Sequence, residues 1–141
     1  MKKVLLVEDS VQDVELAREA FDQATNNVEM VVAGDGIEAL SYLENTLTPG
    51  QKDASPVMVL LDIKMPRMGG LELLERIKTD LRLQNIPVVM FSSSMENTDL
   101  QRGYKLGANS YVVKPVNFTG YLAAIDSISR FWVDTNQPVP A

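Results

Sequence analysis

The feature that most constrains the fold is an apolar run that ends in an aspartate near the middle of the chain. Val57–Leu61 contains five apolar residues in a row, Asp62 follows directly, and Pro66 and the Gly69-Gly70 pair stop the strand. Such a run is typical of a strand that helices cover on both faces, as in a parallel sheet. Asp62 is therefore predicted at the carboxyl end of a central strand, where open α/β sheets carry ligand sites. A strand-end aspartate can equally cap the next loop, so the other strands must decide.

Four further apolar runs alternate with segments of helical periodicity. In the helical segments apolar residues recur every three or four positions, as in Val14, Ala17 and Phe21. Short apolar strands that alternate with crossover helices predict an α/β fold, a doubly wound five-stranded parallel sheet flanked by five helices. The other predicted strands are Lys3–Val7, Val28–Ala33, Ile86–Phe91 and Ser110–Lys114.

Capping residues mark several helix boundaries. Ser10 and Asp13 resemble a capping pair at a helix start, and Gly107 fits a left-handed helix stop. The remaining predicted boundaries are Asn26-Asn27 at the end of the first helix, Asn97 or Thr98 at the start of the fourth, and Asn117 at the start of the last.

The length of 141 residues suits one ordinary domain. We expect this domain to span residues 1–133 and to be followed by a short polar tail, residues 134–141. A long polar loop, Asn45–Pro56, precedes the central strand.

The composition excludes several classes of site. Without cysteine or histidine, the chain has no disulfide, thiolate nucleophile, His-ligated zinc or Ser-His-Asp triad, so chemistry must use carboxylates, hydroxyls and amines. The net charge of −6 argues against non-specific binding to nucleic acid or to an anionic membrane. No segment has the length of a signal peptide's apolar region or of a membrane span, and we expect a cytoplasmic protein.

Polar residues lie at the carboxyl ends of four of the five predicted strands. Glu8 and Asp9 follow the first strand, Asp62 the third and Ser92 the fourth, and Lys114 is the last residue of the fifth. In a parallel sheet these residues share one edge. Crowded carboxylates would not all stay ionised without a cation, and a ligand set of oxygens alone indicates a hard ion, with Mg²⁺ preferred over Mn²⁺ or Ca²⁺.

A magnesium ion held by few carboxylates keeps positions that phosphate oxygens commonly take. Lys114 could then supply a positive charge and Ser92 a hydroxyl donor, and Asp62 is placed to act as a nucleophile that forms an acyl phosphate. Each residue also has a purely structural interpretation. Glu8 and Asp9 could cap the first helix, Ser92 could close a turn, and Lys114 could form an ordinary ion pair.

Four segments, taken in chain order, resemble the receiver domain of two-component response regulators. They are Val4–Ser10, Leu60–Gly70, Pro87–Ser92 and Gly107–Pro115, and the resemblance extends over residues 3 to 132. It implies that Asp62 accepts a phosphoryl group from the phosphohistidine of a sensor histidine kinase.

The resemblance also implies roles for the residues around Asp62. Asp9, Asp62 and the backbone carbonyl of Lys64 would bind Mg²⁺, with Glu8 acting through a water. Ser92 and Tyr111 match the family's switch pair. The Lys114-Pro115 bond is usually cis in this family.

Some features depart from the common pattern of the family or point to a subgroup of it. Glu8 replaces the commoner aspartate, and Gly34 stands where a polar residue is usual. The Asn45–Pro56 loop, the Gly107–Pro115 segment and Phe131-Trp132 are similar to stand-alone receivers that serve phytochrome-type kinases.

The sequence therefore predicts a phosphorylation-controlled binding module whose enzymatic activity is limited to its own phosphorylation and hydrolysis. Alternatives are a phosphohydrolase, a flavodoxin-like FMN binder, and a receiver that binds partners without phosphate. A phosphohydrolase usually has a second acid where Lys64 stands, with its nucleophile on the first strand. For FMN, the strand-to-helix turns lack a loop that cradles phosphate.

The last helix predicts a further property. It carries Phe118, Tyr121, Phe131 and Trp132, and aromatic residues are favoured interface anchors. We expect a homodimer through this helix and the fifth strand, while core packing by Trp132 is the alternative.

Overall fold

Strands and helices alternate along the chain in the computed structural model, which describes residues 1–24, 28–50 and 55–140. Within these ranges the strands are β1 (Lys2–Val7), β2 (Val28–Ala33), β3 (Met58–Leu61), β4 (Val88–Ser92) and β5 (Ser110–Val113). The helices are α1 (Val11–Ala24), α2 (Gly36–Asn45), α3 (Gly70–Thr79), α4 (Asn97–Lys105) and α5 (Phe118–Ser129), and α5 continues into a π-helical turn at Arg130–Thr135.

All five strands form one parallel sheet in the order β2-β1-β3-β4-β5. β3 lies at the centre, and its last residue, Leu61, pairs with Val7 at the end of β1. The carboxyl ends of β1 and β3 are therefore level, and the residues that follow them meet at one edge. This arrangement confirms the predicted doubly wound sheet.

Helices cover both faces of the sheet, which explains why the β3 sequence has no polar positions. Leu5 and Val7 face a core with α2 and α3, whereas Val4 and Leu6 face a core with α1 and α5. All four residues of β3 are fully buried. Successive residues of each central strand face opposite cores, so every position needs an apolar side chain.

The structure confirms the predicted capping residues at three helix ends. The Asp13 N–H donates to Ser10 Oγ at 3.3 Å, and the Gly120 N–H donates to Asn117 Oδ1 at 2.6 Å. Gly107 follows α4 with a φ of 106°, a left-handed conformation that glycine adopts without a steric cost. The predicted boundary at Asn26-Asn27 lies outside the described residues.

The predicted cap of α4 is wrong. Glu96, not Asn97 or Thr98, occupies the N-cap position, and its side chain makes no capping hydrogen bond. Instead, Ser94 Oγ accepts from the Glu96 N–H at 3.4 Å and donates to Asp99 Oδ2 at 2.6 Å. A hydroxyl two residues ahead of the cap therefore takes over part of the capping role.

The cis Lys114-Pro115 bond implied by the family resemblance is also not observed. Cis peptide bonds are absent from the part of the chain that the structure describes, which includes this bond. The trans isomer is the intrinsically preferred form of a bond that precedes proline, by about 0.5–1 kcal/mol.

The described tail residues lie at the opposite edge of the sheet from the carboxyl ends. Pro138–Pro140 line a cavity of about 540 Å³ together with the turn at 46–50 and the segment Asn85–Pro87. Of the predicted Asn45–Pro56 loop, residues 51–54 lie outside the described ranges. Among the helices described, none combines the length and the apolar character needed to cross a membrane.

Candidate functional site

Three carboxylates meet where β1 and β3 end. The sheet continues for one residue beyond each strand, because the Glu8 N–H donates to Ala33 O at 3.0 Å and the Asp62 N–H donates to Val7 O at 3.2 Å. These bonds place Glu8, Asp9 and Asp62 side by side, and one carboxylate oxygen of each lies within 4.8 Å of the others. The structure thus brings together the three acids that the sequence predicted at this edge.

Glu8 is the buried member of the group. Its Oε1 accepts from Lys114 Nζ at 2.7 Å, and its Oε2 accepts from the Ser10 N–H at 3.1 Å. Burial raises the pKa of Glu8, and the ion pair with Lys114 opposes that rise. Glu8 therefore depends on the Lys114 charge to stay ionised.

Asp62 is half-buried and lies beside an open space. Its Oδ1 accepts from the Ile63 N–H at 2.8 Å, which fixes the orientation of the carboxylate. Its Oδ2 lies 3.6 Å from Lys114 Nζ. The carboxylate is thus oriented, close to a cation, and accessible.

Lys114 reaches into the site from the end of β5. Its N–H donates to Ser92 O at 2.8 Å, and its ammonium group lies near Glu8, Asp13 and Asp62. Burial lowers the pKa of Lys114, but the three carboxylates outweigh burial and raise it overall. Lys114 is therefore a permanent positive charge among acids.

Asp13 is the site residue that sequence reasoning missed. Its Oδ2 lies 3.1 Å from Lys114 Nζ, although the sequence assigned Asp13 only to a helix cap. Its position four residues after Asp9, in the first turn of α1, was an available signal. Because α1 begins beside the acids at the sheet edge, an acid in its first turn is close enough to reach Lys114.

A cavity of about 300 Å³ adjoins Asp62. Ser92 lies at the end of β4 and is almost fully buried, and its Oγ accepts from the Ser94 N–H at 3.2 Å. The cavity is lined by Asp62, Lys64, Ser92, Ser93, Ser94, Met95 and Glu96. Two of the predicted site residues, Lys64 and Ser92, therefore border the same space as Asp62.

Tyr111, the predicted partner of Ser92, is connected to it through Ser94. The Tyr111 hydroxyl donates to Ser94 O at 2.8 Å, and the Tyr111 N–H donates to Tyr104 Oη at 3.1 Å. Gly103 on α4 leaves room for the Tyr111 ring, since a Cβ there would lie 3.3 Å from it. Ser94 thus contacts both predicted switch residues.

The acids at this edge fit a hard divalent cation. The potential ligand atoms are all carboxylate oxygens, and they lie close enough together to bind one ion. One of the three residues, Glu8, is buried. Repulsion among three carboxylates is only partly relieved by Lys114, so a further positive charge would be stabilised here.

Known proteins have sequences similar to that of this chain. A family model for the response regulator receiver domain matches residues 4–126. The probable methanogenesis regulatory protein FilR2 of Methanothrix harundinacea is 38% identical, with 98% of this chain and 88% of the relative covered. Response regulator Rcp1 of Synechocystis is 33% identical, with 95% and 90% covered.

Solved structures extend the likeness to three dimensions. The phosphorylated cyanobacterial phytochrome response regulator RcpA superimposes with a TM-score of 0.89 at 36% identity, covering 99% of both chains. The Mn²⁺-bound form of Rcp1 has a TM-score of 0.88 at 31% identity, covering 99% of this chain and 100% of the other. These matches decide between a receiver, a phosphohydrolase and a flavin-binding protein. The chain belongs to the response regulator receiver domain family.

Proposed function

We propose that Asp62 accepts a phosphoryl group from the phosphohistidine of a sensor histidine kinase. The observation that carries this proposal is the position of its carboxylate beside Lys114, two further acids and an open cavity. In the transfer, the P–N bond of the donor breaks and a P–O bond to Asp62 forms. The product is an acyl phosphate, and the imidazole of the kinase is released.

We further propose that the acids hold Mg²⁺, with Asp9, Asp62 and the backbone carbonyl of Lys64 as ligands and Glu8 acting through a water. The three neighbouring carboxylates support this assignment, as does the Mn²⁺-bound structure of the relative Rcp1. When bound, the ion supplies positive charge to the phosphoryl oxygens.

Lys114 and Ser92 are assigned to the other phosphoryl oxygens. Lys114 carries a fixed positive charge beside Asp62. Ser92 Oγ accepts from the Ser94 N–H, so the hydroxyl keeps its own hydrogen to donate to an oxygen on Asp62. The phosphoryl group would bring negative charge to Asp62, so its contacts with Lys114 and Ser92 would be stronger than those of the free carboxylate. These contacts would stabilise the phosphorylated state.

Ser92 and Tyr111 are proposed to transmit phosphorylation to the surface. Movement of Ser92 toward a phosphoryl group would displace Ser94, whose carbonyl accepts from the Tyr111 hydroxyl. Tyr111 would then change its packing between β5 and α4. The signal would leave through protein contact, with no enzymatic activity beyond phosphorylation and hydrolysis of the protein itself.

Likeness to the cyanobacterial phytochrome response regulator RcpA supports a kinase of the phytochrome type as the phosphoryl donor. We place the receiver domain at residues 1–133, a boundary that the burial of Val133 supports, with 134–141 as a tail.

Exposed Phe118 and Phe131 support self-association through α5 and its π-helical turn, together with β5.

A mass measurement tests the central proposal. Incubation with acetyl phosphate and Mg²⁺ should raise the intact mass by one phosphoryl group, because the Asp62 carboxylate is oriented and accessible. Asp62→Asn, which keeps the shape of the side chain, should show no increase. Full labelling of Asp62→Asn, or no labelling of the native protein, would refute the assignment.

A further inference from the structure

The loop between Asp62 and α3 carries Lys64 past the acidic site, and its two ends are joined. The Gly70 N–H donates to Ile63 O at 2.8 Å. Gly70 packs so closely on the Asp62 carbonyl that a Cβ there would overlap it. The shape of this loop, residues 63–69, therefore determines where the Lys64 backbone lies relative to Asp62.

Arg67, near the far end of the loop, has a strained backbone. Its φ of 63° lies in the left-handed region, and it is the one non-glycine residue with a positive φ in the described parts of the chain. Strained conformations of this kind persist only where the surrounding contacts hold them. The contacts of Arg67 therefore help to set the shape of the loop.

Those contacts lead to Asp35, the N-cap of α2. Arg67 Nε and Nη2 lie 2.7 Å and 2.6 Å from Asp35 Oδ2, and Asp35 Oδ1 accepts from the Glu38 N–H at 2.9 Å. The Glu38 N–H and, against the effect of burial, the Arg67 guanidinium hold the pKa of Asp35 below its usual value. The helix thus immobilises a buried carboxylate, which in turn holds Arg67.

The neighbouring residue makes a second connection to the same helix. The Gly36 N–H donates to Met68 O at 3.1 Å, and a Cβ on Gly36 would lie 2.6 Å from the Met68 side chain. Two successive loop residues therefore contact the N-terminal end of α2: Arg67 through its side chain and Met68 through its backbone carbonyl.

We infer that Arg67 is a positioning residue of the metal site, which acts through Asp35 to hold the 63–69 loop so that Lys64 presents its backbone to the cation. The guanidinium of Arg67 contacts Asp35 rather than Glu8, Asp9 or Asp62, so the role assigned to it is positioning. This inference rests on the proposed function, because it assigns a role in the same metal site.

Two substitutions separate positioning from a simple charge effect. Arg67→Asn removes the guanidinium while keeping a residue that tolerates the left-handed backbone, and Asp35→Asn keeps an oxygen for the Glu38 N–H. The first makes the protein more negative and the second less negative. A long-range charge effect would therefore shift Mg²⁺ affinity in opposite directions, whereas loss of positioning weakens it in both variants.

The experiment measures Mg²⁺ affinity by calorimetry and hydrogen exchange of residues 63–69 without metal. Both variants should exchange faster in this loop and bind Mg²⁺ about tenfold more weakly, as is typical when groups that support metal ligands are lost. The double variant should bind Mg²⁺ no more weakly than either single variant, because both substitutions remove the same Arg67–Asp35 contact. Arg82→Asn, which breaks the separate Asp80–Arg82 pair, is the matched control and should match native protein.

Unchanged Mg²⁺ affinity in the two variants, with or without faster exchange, would overturn the inference. Opposite shifts in the two variants, or an equal loss in Arg82→Asn, would also overturn it. Asp9→Ala tests the proposed function separately. A native protein that does not bind Mg²⁺, or an Asp9→Ala variant that binds it normally, would refute the metal site itself.

Discussion

At the scale of single residues, the contacts of Lys114 indicate which of its carboxylate partners a phosphoryl group would replace. Lys114 is shared among Glu8, Asp13 and Asp62. Glu8 is buried and cannot easily lose its cation, whereas the Asp13 side chain is 38% exposed and can be solvated instead. We therefore expect Asp13 to be the carboxylate that gives up its contact with Lys114 when a phosphoryl group arrives.

This reasoning predicts that Asp13 weakens the binding of a phosphoryl group. Asp13→Asn should bind beryllofluoride, with Mg²⁺ present, up to about fivefold more tightly, because a partly exposed ion pair contributes about 0.2–1 kcal/mol. The increase follows because Lys114 loses a competing acceptor and the site loses a negative charge. Fluorescence titration of the single tryptophan, Trp132, or calorimetry would measure it.

Glu15→Gln provides the control for this prediction. Glu15 lies on the exposed side of α1, so its replacement removes the same charge from the same helix without touching Lys114. Equal affinities for Asp13→Asn and Glu15→Gln would show that contact with Lys114 does not matter.

At the scale of elements, the segment between β4 and α4 connects the site to the helix. Ser94 contacts Ser92 through its N–H, Tyr111 through its carbonyl, and the first turn of α4 through its hydroxyl. Within α4, Gly103 is the one residue that is buried, so little core packing holds this helix in place. We therefore expect the contacts of Ser94 with the first turn to contribute to the stability of α4.

Ser94→Ala should lower the free energy of unfolding by about 1 kcal/mol, as loss of a helix cap typically does. It should also speed hydrogen exchange in the first turn of α4, because the contacts to Asp99 and Glu96 are lost. Urea unfolding and exchange mass spectrometry would measure the two effects.

Ser93→Ala is the matched control for this change, since Ser93 is an exposed serine in the same segment. A Ser94→Ala variant that is as stable as Ser93→Ala would show that the hydroxyl does not cap α4.

At the scale of the whole molecule, the surface of the last helix bears on self-association. Four aromatic residues of the last helix were predicted as candidate interface anchors. Of these, Tyr121 is buried and packs edge-on against Phe91, with ring centroids 5.3 Å apart. Trp132 is partly buried against the core and packs edge-on against Phe131. Phe118 and Phe131 remain half-exposed and are the available anchors.

Phe131→Ala should therefore weaken the self-association that we propose, which we expect phosphorylation of Asp62 to shift toward the dimer. Native protein should shift toward a dimer in sedimentation when beryllofluoride and Mg²⁺ are added, and Phe131→Ala should shift less because an exposed aromatic anchor is lost. Leu81→Ala, which removes an exposed apolar side chain after α3, should behave like native protein. A native protein that stays monomeric with and without the mimic would contradict the prediction.

The sequence by itself determined the strands, three helix ends and the acids at the sheet edge. These features depend on short-range patterns: an apolar run such as Val57–Leu61, a cap such as Asn117, or a carboxylate directly after a strand. Parallel strands then bring Glu8, Asp9 and Asp62 to one edge without further information.

Only the tertiary structure decided which side chains meet across elements. Asp13 and Lys114 are 101 residues apart in sequence, and Asp35 and Arg67 are 32 apart, so no local pattern connects either pair. The same holds for Tyr121, whose burial depends on how α5 packs against β4. Periodicity and caps report the conformation of a segment, whereas these contacts depend on the relative placement of packed helices and loops, which emerges only when the whole core forms.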